Sequence, residues 1–138
     1  MAFNVAVGNR DEHLRNHGFL LVENGWYLAP AFDVKPNIDK AEHVLNIDDI
    51  DPRPSLATVL ATGRFYGLDE RQAHDIVERI VLVVDHWQDM ARKASISGAD
   101  IDLTAGAFSA HAEYLAGAAM SAAANPAAGP RSGRKRIG

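Results

Sequence analysis

The stretch Gly8-Asn9-Arg10-Asp11-Glu12-His13-Leu14-Arg15-Asn16, followed after a short insertion by Phe32-Asp33-Val34, decides how this chain is read. Ahead of it, Phe3, Val5 and Val7 belong to an element already under way, which Gly8-Asn9 ends. After it, Gly18-Phe19-Leu20-Leu21-Val22 and Trp26-Tyr27-Leu28-Ala29 flank a turn at Glu23-Asn24-Gly25. Asn-Gly between two apolar runs signals a β-hairpin, because both residues tolerate positive φ. Pro30 closes the second strand. Two polar stretches thus flank a hairpin that can return the chain so that Asp33 meets Asp11 and Asn16.

Farther along, residues Lys35 to Pro54 are rich in Asp, Asn and Pro and read as loop, with one short strand expected at Val44 to Ile47. From Ser55 the pattern turns helical: Leu56, Val59 and Leu60 share a face, and Gly63 or Gly67 ends the element. Asp69 caps a long helix, with Gln72 as its capping-box partner. Ala73, Ile76, Val77, Ile80, Val84, Trp87, Ala91 and Ala94 form its continuous apolar stripe. After a break at Ser95 to Gly98, a further helix is expected over Asp100 to Ala119, with Ile101, Leu103, Ala107, Phe108, Ala112 and Leu115 inward. The fold class is therefore mainly α with a small β-hairpin. Residues 1–124 form one domain, with the loop, hairpin and Asp33 in 1–34 and the helices in 55–124. Residues 125–138 are too poor in apolar side chains to offset ordering entropy and read as a disordered basic tail.

Composition narrows the chemistry. With 138 residues, 47% of them hydrophobic and 23% charged, the chain holds one core of ordinary size. It has no cysteine, which removes thiol catalysis, disulfides and Cys-based metal sites and fits a reducing cytoplasm. No secretory leader and no span of about 20 apolar residues is visible. A net charge of -4 argues against bulk attraction to nucleic acid. The tail carries Arg131, Arg134, Lys135 and Arg136, which would give DNA phosphates only salt-sensitive, sequence-blind attraction, so direct DNA binding is not expected.

Phosphoryl transfer to a hydroxyl asks little covalent chemistry of a protein. It needs a carboxylate that orients the nucleophile and accepts its proton, and oxygen ligands for Mg²⁺ on the phosphates. Asp11, Asn16 and Asp33 supply those groups, and the step from Asp11 to Asn16 matches the Asp-x-x-x-x-Asn spacing of a kinase catalytic loop. The spacing alone is a weak signal. The same residues also serve as backbone caps and turns, and that reading stays open on spacing alone.

The wording around them is more specific. Gly8-Asn9-Arg10-Asp11-Glu12-His13-Leu14-Arg15-Asn16, then Leu28-Ala29-Pro30-Ala31-Phe32-Asp33, closely resembles the HipA family of bacterial serine/threonine kinase toxins. That family's catalytic loop reads Gly-Asn-x-Asp-x-His-x-Lys-Asn, and its metal-binding element reads Leu-Ala-Pro-x-Tyr/Phe-Asp. The resemblance continues through Phe65-Tyr66-Gly67-Leu68, the helix containing Trp87 and the helix after Ile96-Ser97-Gly98, covering residues 1 to 120.

The resemblance implies the C-terminal lobe of a protein-kinase-like fold, with Asp11 as catalytic base, Asn16 and Asp33 as Mg²⁺ ligands, and His13 supporting the loop. It implies ATP and Mg²⁺ as cofactors, a protein Ser or Thr as substrate, and a HipB-like helix-turn-helix antitoxin or a separate N-terminal lobe chain as partner. Arg15 stands where the family has Lys. Contacts to ATP phosphate there would change, because guanidinium is a planar fork and ammonium a point charge. Kinases also need a glycine-rich loop and a lysine over the phosphates. This sequence has no Gly-x-Gly-x-x-Gly, and its lysines, Lys35, Lys40, Lys93 and Lys135, all follow Asp11. The expectation is therefore a lobe without its nucleotide roof, inactive alone.

Alternatives remain. A non-catalytic kinase remnant would bind an antitoxin or another subunit through apolar surface that its partner lobe would otherwise cover. A metal-dependent hydrolase would use Asp11, His13 and Asp33. His13 and His17 share helical zinc spacing, but Leu14 stands where the zinc-protease motif needs Glu. Glu12 with Asp48, Asp49 and Asp51 forms an acidic set without the Gly and Glu of a calcium loop. Trp87 reads as core.

Overall fold

The computed structural model describes residues 1–40, 42, 53 and 55–124. Its first helix, α1 (Ala2–Ala6), is only five residues long, too short to persist by its own hydrogen bonds. Packing holds it. Val5 and Ala6 are fully buried against α2 (Leu56–Thr62), α3 (Glu70–Val84) and α6 (Ser109–Ala124). Gly8 then turns the chain with φ of +67°, and a Cβ built there would lie 2.0 Å from the carbonyl oxygen of Ala107. Only glycine fits both the backbone angle and the gap.

Helix α2 opens at Ser55, whose hydroxyl accepts from the Thr58 amide at 3.3 Å, and buries Leu56. It tightens into a 3-10 turn at Gly63–Tyr66 and stops at Gly67, which takes the left-handed conformation. Asp69 and Gln72 form the expected capping box at the start of α3, at 2.8 and 2.9 Å. That helix buries Ala73, Val77, Val81 and Val84, which recur at the three- and four-residue steps of one face.

The stripe expected to run unbroken to Ala94 is interrupted. Helix α3 ends at Val84, Asp85-His86 intervene, and α4 spans Trp87–Lys93, with Ala94 exposed beyond it. The break lets the Trp87 ring lie flat on Phe108, with centroids 4.1 Å apart and planes 5° from parallel. Trp87 is half-buried and packs against the core rather than lying within it.

The helix expected over Asp100 to Ala119 is likewise two. Helix α5 (Gly98–Thr104) follows a Ser97 cap, a 3-10 turn occupies Ala105–Phe108, and α6 continues to Ala124. A 3-10 turn has three residues per turn and so rotates the face that follows it. Ala107, Phe108, Ala110 and His111 are consequently buried with Ile101, while Leu103 and Ala112 face outward.

The hairpin forms as expected. Strands β1 (Phe19–Val22) and β2 (Gly25–Leu28) pair antiparallel, with Phe19 opposite Leu28 and Val22 opposite Gly25. Of the turn residues only Gly25 has positive φ, so Asn24 does not play the part foreseen for it. Both faces are open: Phe19, Leu20, Leu21, Val22, Trp26, Tyr27 and Leu28 are each between 45% and 68% exposed. The hairpin is anchored at its base, where the Ala29 amide donates to the Gly18 carbonyl at 2.8 Å. No described helix is long and apolar enough to cross a membrane. The strand expected at Val44 to Ile47 and the tail at 125–138 lie outside the described residues.

Gly8→Ala should cost about 2–4 kcal/mol of unfolding free energy, combining the left-handed backbone angle with overpacking against Ala107. Gly117→Ala, in α6 with open space around the added methyl, should instead stabilise by up to about 1 kcal/mol. Urea unfolding of both variants checks the contrast.

Candidate active site

The site is built outward from the Gly8 turn. The Asn9 amide donates to the Asn4 carbonyl at 2.8 Å, and its buried side chain donates to Asn4 Oδ1 at 3.1 Å. The buried Arg10 guanidinium reaches Ser109 Oγ at 3.3 Å and also donates to the Lys40 carbonyl. The loop is thus fastened to α1 on one side and α6 on the other. Asp11 emerges from it half-buried, whereas Glu12 turns inward, its carboxylate 3.2 Å from His17 Nε2. His13 begins a 3-10 turn, Leu14–Asn16, that leaves Arg15 exposed and Asn16 half-buried.

Beyond the hairpin, Asp33 adopts φ of +53°, a left-handed conformation that Asp tolerates better than most side chains. Its carbonyl receives a long contact from Asn9 Nδ2 at 3.5 Å, and its carboxylate lies 4.0 Å from Lys35 Nζ. The chain next folds back on the loop that follows Gly8: the Asn37 amide donates to the Gly8 carbonyl at 2.9 Å. Asn37 Oδ1 accepts from the Asp39 and Lys40 amides, each at 3.0 Å, a short turn that aims Lys40 at the loop. There the Lys40 ammonium pairs with the Asp11 carboxylate.

The hydrogen bond and charge of Lys40 hold the Asp11 carboxyl below the usual carboxylate range, aided by His13 and Lys35 and opposed by partial burial. A depressed carboxyl pKa means that this pair stabilises the fold above the ordinary Asp range. Its contribution is lost as pH falls through the lowered value.

A cavity of about 180 Å³ opens between the 3-10 turn and the end of the hairpin, lined among others by Asn9, Asn16, His17, Leu28 and Phe32. Asn16 lines it, while Asp11 and Asp33 sit outside that lining on their lysine partners. Three larger cavities, about 220, 280 and 330 Å³, share no residue with the loop and are bounded by Val7, Trp87 and Phe108 in the first, by Leu60, Arg64 and His74 in the second and by Leu56 and Tyr114 in the third. Tyr114 there has its hydroxyl pKa raised by burial and by the Glu78 carboxylate. Of the three candidate residues, Asn16 alone lines the smaller cavity.

The donor chemistry fits a hard divalent cation. Asp33 offers an accessible carboxylate and Asn16 an amide oxygen, and the ammonium groups of Lys35 and Lys40 show that this region already accommodates positive charge. No three His, Asp or Glu side chains gather into a metal cluster among the described residues. Mg²⁺ does not require one, since it is commonly held by one or two carboxylates, water and substrate phosphates.

His13 and His17 form no zinc pair with a third ligand among the described residues; His17 is engaged by Glu12. Glu12 is thereby a structural group, and Asp48, Asp49 and Asp51 lie outside the described residues. The residues that sequence reading missed are Arg10, Asn37 and Lys40. Lys40 stands 29 positions from Asp11, so no local spacing rule could pair them. The one available signal was Asn37-Ile38-Asp39-Lys40, an Asn placed to cap the backbone two and three residues on.

The family model of the HipA-like C-terminal domain matches residues 1–87, from α1 to the first residue of α4. Neither the comparison with curated proteins nor that with solved structures returns a match.

Replacing Lys40 with Ala should raise the Asp11 pKa toward its ordinary value, since the largest lowering influence is removed. An NMR titration following the Asp11 side-chain carboxyl reads this directly. An unchanged midpoint would mean that Lys40 does not contact Asp11 in solution.

Proposed function

We propose that this chain, which belongs to the family of HipA-like C-terminal domains, is the carboxylate-bearing lobe of a serine/threonine protein kinase that works with a nucleotide-covering lobe. The observation that carries this reading is the return of segment 33–40 onto residues 8–11, through the Asn37–Gly8 bond and the Lys40–Asp11 pair. It sets the element bearing Asp33 beside the loop bearing Asp11, the juxtaposition that phosphoryl transfer needs.

In this reading Asp11 orients a protein Ser or Thr hydroxyl and accepts its proton as the oxygen attacks the terminal phosphorus of ATP, whose bond to the β–γ bridging oxygen breaks as ADP leaves. At neutral pH it is ionised and paired with Lys40, whose ammonium must give way before the hydroxyl can bond to it. Asn16 and Asp33 hold Mg²⁺, which when bound neutralises charge on the ATP phosphates. Arg15, exposed on the 3-10 turn, is free to meet a phosphate oxygen with its planar fork, in place of the family's Lys. Asn9 and Arg10 do no chemistry themselves; they fix the backbone from which Asp11 projects.

A second reading is favoured by a separate observation, the open hairpin. A two-stranded ribbon with seven apolar side chains exposed on both faces is marginal alone. A non-catalytic module would use this surface to bind a HipB-like antitoxin or another subunit. The two readings part on turnover.

In an assembly that phosphorylates protein, Asp11→Asn should lower the rate by about 10² to 10⁴, as loss of a general base. Near-normal phosphorylation would remove Asp11 from its role. Asp33→Asn should chiefly weaken dependence on Mg²⁺, read as a higher metal concentration for half-maximal rate. An assembly that binds its partner but never transfers ³²P from ATP would favour the non-catalytic module.

A further inference from the structure

The cavity between the 3-10 turn and the end of the hairpin is built for a neutral guest. None of the described side chains lining it is Asp, Glu, Lys or Arg, and His17, the remaining titratable one, is turned to the Glu12 carboxylate at 3.2 Å. An ion entering it would lose its hydration without meeting an opposite charge. Phe3, Phe32, Leu28 and Val34 instead give the cavity apolar walls, among which three side-chain amides, Asn4, Asn9 and Asn16, are set. Apolar walls with a few polar groups are the composition of a site for a small molecule.

One of those amides is unanswered. Asn9 is 2% exposed and its Nδ2 donates to Asn4 Oδ1 at 3.1 Å, yet its Oδ1 has no hydrogen-bond partner among the described residues. A buried acceptor without a donor is costly and uncommon, and a ligand N–H would relieve that cost. Size sets the other limit. An apolar cavity of about 150 Å³ takes up benzene. This one, at about 180 Å³, admits a single ring with one small substituent.

We propose that this cavity binds a neutral, single-ring molecule bearing a primary carboxamide, whose N–H bonds to Asn9 Oδ1 while its ring lies against Phe32 and Leu28. The carboxamide is the matching group because it offers, in one plane, a donor for the orphaned oxygen and an acceptor for the neighbouring amides. The assignment goes beyond the kinase reading and does not depend on it, since Asp11 and Asp33 take no part in the lining.

The test varies the ligand, because Asn9 also holds the loop in place. Benzamide is titrated into the ¹⁵N-labelled 138-residue chain and followed by amide chemical shifts. Saturable shifts are expected at the side-chain amides of Asn9 and Asn16 and at the backbone of Phe32. Acetophenone, which carries a methyl group where benzamide has NH₂, should bind about two- to ten-fold more weakly, the range for one lost hydrogen bond. Benzoate should bind more weakly still, as a charge brought into a cavity without a cation. Ala31→Leu, at an exposed position on the wall, should narrow the space and weaken benzamide. Equal affinities for benzamide and acetophenone would overturn the role of Asn9, and tighter binding of benzoate would overturn the choice of a neutral ligand. Shifts confined to residues away from the cavity, benzamide binding unchanged by Ala31→Leu, or no saturable shift up to the solubility limit would overturn the site itself.

Discussion

The contact on which the rest of the structure depends is the approach of Gly8 to the backbone of Ala107, closer than any side chain would allow. It locks a five-residue helix, unstable by itself, onto the junction between the 3-10 turn and α6. From that locked turn the next two residues are directed inward, Asn9 to Asn4 and Arg10 to Ser109, so Asp11 is the first side chain able to face solvent. The position of the carboxylate is thus inherited from the helical core rather than from the loop's own preferences.

Around Asp11 the dominant influence is compensation of charge. Asp11 and Asp33 each have an ammonium partner, and both partners come from the segment immediately after Asp33. One stretch of chain therefore carries a carboxylate of the site and the cations that balance both carboxylates. Each carboxylate is thereby balanced by a cation from the chain itself.

Much of this was legible in the sequence, and what was not has physical reasons. The Asp69–Gln72 cap and the Ser55 start are local signals that formed as read, and of the two glycines offered as a stop, Gly63 ends the α-helix and Gly67 the 3-10 turn after it. The hairpin was visible in Asn24-Gly25, although the positive φ fell on Gly25 alone. Interruption of the long stripe at Asp85 was hidden, because it depends on Trp87 stacking on Phe108, a residue 21 positions away. The face of α6 was misread for a similar reason: a 3-10 turn at Ala105–Phe108 rotates the pattern, and periodicity counted at 3.6 residues per turn cannot detect it. At the site, Asp11, Asn16 and Asp33 stood out by spacing and wording, whereas Lys40 and Arg10 matter only through contacts that the fold creates.

Whether Asn16 and Asp33 face one cation beside Asp11 can be read most directly from paramagnetic broadening, by adding substoichiometric Mn²⁺ to the isotopically labelled chain. A shared site predicts that resonances of residues 11, 16 and 33 broaden first and together, and that excess Mg²⁺ restores them. Broadening centred elsewhere, for example on Asp69 and Glu70, with those three residues untouched, would contradict it.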